Sequence, residues 1–226
     1  MFALKFFSLT LAFTLSTGQL PVSAAEIESL KRPVALNRLN GTSADAVASL
    51  LVQAQAPGGI ISIYSGCRQP DQHVFSLNGG TLRVGLDYIS GVDESGRWTS
   101  SDGVIVVGFQ QTNGTLLNVV LADAAIEPND ALSLATQKLL RSVEMRDQMK
   151  KTGLVELTPP LGFSAVRKRD TEPLNATQKP QPERLYGKTL LQILNYLALS
   201  RGRAVWHYEQ FVCEKKSSFR VSWSGG

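Results

Sequence analysis

Along this chain, hydrophobic residues alternate between two periods, that of a helix face and that of a strand. Ala44, Val47, Leu50, Leu51 and Ala54 recur at helical spacing, with Ser43 as a candidate cap and Gly58-Gly59 as the stop. Ile60 to Tyr64 is a β-branched run that reads as a strand, with further strands expected at Pro33 to Leu39 and Val74 to Leu77. Leu82, Leu86 and Ile89 then mark a second helix face behind Thr81 as N-cap. After it, Arg97 to Ser100 and Val104 to Phe109 flank Ser101-Asp102-Gly103, where Asp-Gly favours the positive φ of a tight hairpin turn. Residues 32–109 therefore read strand, helix, strand, strand, helix, strand, strand. Two amphipathic helices covering one face of a small sheet bury both apolar stripes, which is an α+β arrangement.

The same pattern returns later in the chain. Aligning Gly79 with Gly187 without gaps brings Thr81 to Thr189, Leu82 to Leu190, Leu86 to Leu194, Tyr88 to Tyr196 and Trp98 to Trp206. Asp87 then faces Asn195, and Ile89 faces Leu197. Leu190, Ile193, Leu194 and Leu197, preceded by Thr189 or Lys188, form one helix face. Strands are expected at Ala204 to Tyr208 and Phe219 to Trp223. The fold class predicted is thus α+β, with small sheets packed by amphipathic helices and a duplicated helix–hairpin unit.

Between the copies, Leu116 to Leu121 reads as a strand and Pro128 to Lys151 as one connecting helix that Gly153 stops. Residues 154–184 are rich in proline and charge and read as a linker or long loop, with a short strand possible at Phe163 to Arg167. The expected division is 1–25 signal peptide, 26–125 first α+β unit, 126–153 connecting helix, 154–184 linker and 185–226 a partial second copy.

The beginning of the chain assigns a compartment. Lys5, an apolar run from Phe6 to Leu15 and the small residues Val22-Ser23-Ala24-Ala25 form a secretory signal, with cleavage expected after Ala24 or Ala25. The run is shorter than the roughly 20 residues needed to span a bilayer. An exported protein, periplasmic or secreted, with no stable membrane insertion after signal removal is the expectation. The formal charge of +4 lacks the concentrated basic stripe of a nucleic-acid binder, since Arg167-Lys168-Arg169 and Lys215-Lys216 are its densest clusters. Apolar content of 43% and charged content of 19% are those of a globular chain.

Little in the sequence points to chemistry. His73 and His207 are the only histidines, and neither has ligands at metal-binding spacing; the nearest constellation, Cys67, Asp71 and His73, reads as an incidental polar loop. There is no nucleophile elbow, P-loop or dinucleotide fingerprint, so no catalytic residue, metal or cofactor is assigned. Cys67 and Cys213 both fall in polar, loop-like segments beside strands, and export permits a bridge between them; two separate thiols are the other reading. The sequons at Asn40, Asn113 and Asn175 carry meaning only in a eukaryotic secretory pathway. In a strand, Trp206 and Tyr208 share one face and His207 takes the other. That places the pair in a core, or alternatively makes Trp98, Trp206 and Tyr208 stacking surfaces for a small ligand between the two copies.

Pro33-Val34-Ala35-Leu36, the capped helix at Ser43 to Gln55, the strands at Gly59 to Tyr64 and Val74 to Leu77, Thr81-Leu82-Arg83 and the hairpin ending Val104 to Val107 together resemble the secretin and TonB short N-terminal domain. The resemblance covers residues 32–109, with a partial match at 187–224, and departs at Gly85, where that family tends to place alanine, and at the loop Cys67 to Gln72. It implies a non-catalytic interaction module with an envelope protein partner, although neither a barrel nor a secretin pore domain follows. A periplasmic small-ligand-binding protein is the alternative.

Overall fold

The computed structural model describes residues 28–65, 70–109, 115–157, 182–214 and 216–225. The signal segment, the loop containing Cys67, Asn113, Asn175 and the strand expected at 163–167 lie outside them.

The first unit has the expected order: β1 (Pro33–Gly41), α1 (Ser43–Gln53), β2 (Gly58–Ser65), β3 (His73–Thr81), α2 (Leu82–Val92), β4 (Gly96–Ser101) and β5 (Val104–Phe109). The cap of α1 is Thr42 rather than Ser43. Its hydroxyl accepts from the Asp45 amide at 3.1 Å, and the Asp45 carboxylate accepts from the Thr42 amide at 2.9 Å, a reciprocal box that satisfies two otherwise orphaned donors. Thr81 caps α2 as the sequence indicates. Asp102 and Gly103 both have positive φ, 53° and 79°, the conformation a two-residue hairpin turn requires.

The second unit is complete, which corrects the reading of residues 126–153 as a connector and of residues 185–226 as a partial copy. After a 3₁₀ turn (Leu116–Asn118) come β6 (Val120–Ile126), α3 (Leu132–Leu140), α4 (Val143–Thr152), β7 (Val155–Glu156), β8 (Glu183–Thr189), α5 (Leu190–Ser200), β9 (Val205–Val212) and β10 (Ser218–Ser224). The predicted single helix is two. Ser142 accepts from the Met145 amide at 3.3 Å and starts a new helix instead of continuing the old one, turning Met145 into the core. Residues 183–189, which straddle the expected boundary at 184 between linker and second copy, form a strand that pairs with β6 as β3 pairs with β1. Equivalent hydrogen bonds tie each helix start to the strand entering the unit: Leu82 N–H to the Arg32 carbonyl and Leu190 N–H to the Val119 carbonyl, both 2.9 Å.

A six-stranded sheet of order β4-β5-β2-β9-β10-β7 joins the units. Strands β2 and β9 meet in parallel along eight residue pairs, Gly58 with Val205 through Ser65 with Val212. Alternation along each strand divides the side chains between two cores. Ile60, Ile105, Val107 and Val205 pack with α1 and α2; Ile61, Ile63, Trp206, Tyr208 and Phe219 pack with α3, α4 and α5. The sheet is therefore covered on opposite faces by the two units. Each buried aliphatic side chain of α5 (Leu190, Ile193, Leu194, Leu197) contributes about 1.5–3 kcal/mol through burial, which favours docking of the second unit.

Within the sheet, both units place their elements in the same sequence: outer hairpin strand, inner hairpin strand, single strand. Strand β9 nevertheless runs opposite to its counterpart β4, because β4 is antiparallel to β5, β5 is parallel to β2, and β2 is parallel to β9. A half-turn about an axis crossing the strands, with a step along that axis, relates the two units. Such a relation does not close on itself, and among the described residues it leaves β4 at one end of the sheet and β7 at the other.

Candidate functional site

The duplicated helix–hairpin places one tryptophan in each unit, and each is held in the same way. The Trp98 indole N–H donates to the Asp87 carboxylate at 2.9 Å, and the Trp206 indole N–H donates to the Asn195 side-chain carbonyl at 3.0 Å. Each pair therefore joins an outer hairpin strand to the helix before it. Surroundings differ. Trp206 is fully buried, whereas Trp98 is half-exposed on the edge strand with the Arg83 guanidinium 5.5 Å from its ring centre.

The cover over Trp206 is strand β2. Gly59 is its register partner, and a Cβ at that glycine would lie 2.0 Å from Trp206 Cζ2, so the indole lies directly against the glycine backbone. Only a residue without a side chain permits that approach. Among the described residues strand β4 has no such cover: it ends the sheet, and Arg97, Thr99 and Ser101 are exposed. An edge of this kind presents unpaired backbone donors and acceptors to a further strand.

The sequence-predicted ligand surfaces are not brought together. Trp206 and Tyr208 belong to the core, where the Tyr208 hydroxyl donates to Gln210 Oε1 at 2.6 Å and accepts from the Leu116 amide at 3.4 Å. Burial pushes the Tyr208 phenol up to about 12. Their stacking role is thus corrected to packing: no ring face of either is open to a ligand. Trp98 stands apart, on the other face of the sheet.

Periodicity could not reveal the grooves beside α1, because residues distant in sequence line them. One of about 460 Å³ is lined by Ser43, Ser62, Tyr64, His73, Asp93 and Phe109. Another of about 590 Å³, over the uncovered face of β9 and β10, is lined by Asp45, Tyr64, His207, Glu209, Arg220 and Ser224. There His207 Nε2 lies 3.0 Å from Ser224 Oγ, Glu209 pairs with Arg220, and Tyr64 stacks on Phe211 with ring centres 5.1 Å apart. Burial lowers the His207 pKa, opposed by the negative charges of Glu209 and Asp45 and assisted by Arg220. Glu209 and Arg220 compensate each other's charge, and Ser224 and His207 share a hydrogen bond beside them.

Among the described residues no cluster of three or more His, Cys, Asp or Glu side chains could hold a metal, and no helix is long and apolar enough to cross a membrane. Cys213, just beyond β9, is disulfide-bonded. Cys67, the only other cysteine of the sequence, lies outside the described residues, following β2 where Ser65 and Val212 are register partners. No protein-family model matches this chain, and no curated protein matches it.

Proposed function

We propose that this protein is an exported, non-catalytic protein-interaction module of the cell envelope that recognises a partner through the β4 edge of its sheet. One observation carries the reading: β4, which ends the sheet among the described residues, is the counterpart of β9, and β9 is the edge on which β2 of the other unit is seated along eight residue pairs. The molecule thus contains, between its own units, an example of what such an edge accepts. The N-terminal signal pattern supports export. The order of elements in residues 33–109 supports the resemblance to the secretin and TonB short N-terminal domain. A Cys67–Cys213 bridge, favoured by the neighbouring ends of β2 and β9, would fasten the two units at their junction.

The reading is tested by placing a photo-cross-linking residue at Thr99 on the β4 edge, or at Lys150 on exposed α4, and exposing each protein to an envelope fraction. A discrete cross-linked protein from position 99 and none from position 150 is expected. Equal adducts from both positions, or none from position 99, would overturn it.

A further inference from the structure

We infer that the groove of about 460 Å³ at the start of α1 binds a primary ammonium group carried on a short apolar stem. This goes beyond the β4-edge reading and does not depend on it. The first observation is a buried hydroxyl. Ser62 interrupts the apolar run Ile60-Ile61-Ser62-Ile63 of β2, and strand alternation turns it to the same side as Ile60, toward α1. It is 1% exposed, it lines the groove, and among the described residues its Oγ has no hydrogen-bond partner. Burial pushes the phenol of Tyr64, on the same side, upward and the Ser62 hydroxyl opposes that shift, yet the two do not meet in hydrogen-bond geometry. An oxygen so placed has lost its water without replacement, and a donor entering the groove restores the missing bond.

The second observation is charge. Asp71, Asp93 and Glu94 line the same groove; among the described residues none of them is ion-paired, and no lining residue is Lys or Arg. Asp93 uses Oδ1 to accept from the Ser95 amide and hydroxyl at 3.1 and 2.6 Å, which leaves Oδ2 for a ligand. The start of α1 brings partial positive charge to the groove, but its own Asp45 carboxylate already meets that charge through the capping box. The charge left over is negative. Acceptors and negative charge together call for a cation that donates, and an ammonium supplies N–H donors and no acceptor. Ile63, Val92 and Phe109 provide an apolar wall for its stem.

The probes are pentylammonium; pentyltrimethylammonium, which keeps the charge without N–H donors; pentanoate, which reverses the charge; and acetyl-Gly-Lys-Gly-amide, which presents the same head from a peptide. Each is titrated into the isotope-labelled full chain and followed by amide chemical shifts. Pentylammonium should give saturable shifts centred on Ser62 and Glu94, at about millimolar concentration for so small a ligand. The quaternary analogue should bind about ten-fold more weakly and pentanoate should cause no saturable shift. Ser62→Ala should weaken pentylammonium binding about five-fold while leaving the melting temperature unchanged or higher, because it removes an unpaired hydroxyl. A tripeptide that binds as well as pentylammonium assigns the ligand to a lysine side chain of a protein, and binding of pentylammonium alone assigns it to a free amine; both uphold the ammonium site. Pentylammonium shifts that do not saturate, a quaternary analogue that binds equally, or a Ser62→Ala protein that binds undiminished overturns the inference. A lower melting temperature for that variant would show the hydroxyl to be partnered and would overturn it too.

Discussion

Trp98 and Trp206 occupy equivalent places in two copies of one helix–hairpin, yet one lies at a surface and the other in a core. The hydrogen bond that holds them does not separate them: each indole reaches the preceding helix at nearly the same distance. The difference lies in position within the sheet. Seating β2 beside β9 covers Trp206, and surrounding residues have changed with it. Arg83 beside Trp98 has Leu191 as its counterpart, and the charged acceptor Asp87 has the neutral Asn195. An ionised carboxylate is cheap where water reaches it and costly in a part-buried site, whereas an amide serves both. The same contact thus becomes polar at an edge and neutral inside.

The sharpest test of this equivalence is truncation of matched core leucines. Leu86 and Leu194 are 1% and 0% exposed, so Leu86→Ala and Leu194→Ala should each destabilise the protein by about 2–5 kcal/mol in denaturant unfolding. A silent Leu194→Ala would show the second unit to be loosely docked and would break the comparison. Next comes the covering strand. Gly59→Ala drives a methyl group into the enclosed Trp206 ring and should cost about 3 kcal/mol, whereas Gly108→Ala, with nothing within 4 Å of the added carbon, should stay within about 0.5 kcal/mol.

Removing the indole acceptors should then separate edge from core. Asn195→Ala strands a buried N–H and should cost about 1–3 kcal/mol. Asp87→Ala should cost about 0.5 kcal/mol or less, since water replaces the carboxylate at half-exposed Trp98. Thermal melts of the two variants make the comparison directly; equal losses would mean that the β4 edge is covered in solution.

The smallest effect expected is on pH dependence. The folded His207 pKa lies below the ordinary 6.5, so its neutral form favours the fold. That contribution is complete above about 6.5 and is lost as pH falls through the lowered folded value. Urea midpoints between about pH 7.5 and pH 5 should decline, and His207→Gln should flatten this decline. An unchanged slope in the variant would place the acid sensitivity elsewhere.

Locally encoded features were legible in the sequence because the groups that determine them are neighbours along the chain. Leu82, Leu86 and Ile89 face one way whatever surrounds them, Thr81 and Thr189 cap their own helices, and Asp102-Gly103 adopts positive φ because few other residue pairs can. The offset linking Trp98 to Trp206 could also be read, since Gly79 to Trp98 aligns with Gly187 to Trp206 without a gap. What only the tertiary structure decided depends on partners far apart in sequence. The pairing of β6 with β8 makes the second unit whole, but it joins residues 120–126 to 183–189 across a segment that resembles a linker. The parallel seating of β2 on β9 is fixed by fit, a glycine backbone against an indole, and no periodicity encodes which of two tryptophans will meet that glycine. Side-chain period and capping are set over a few residues, whereas burial is set by whichever surface arrives from elsewhere in the chain. For that reason the sequence established the helix–hairpin twice, and only the assembled sheet made one copy an interior and the other an edge.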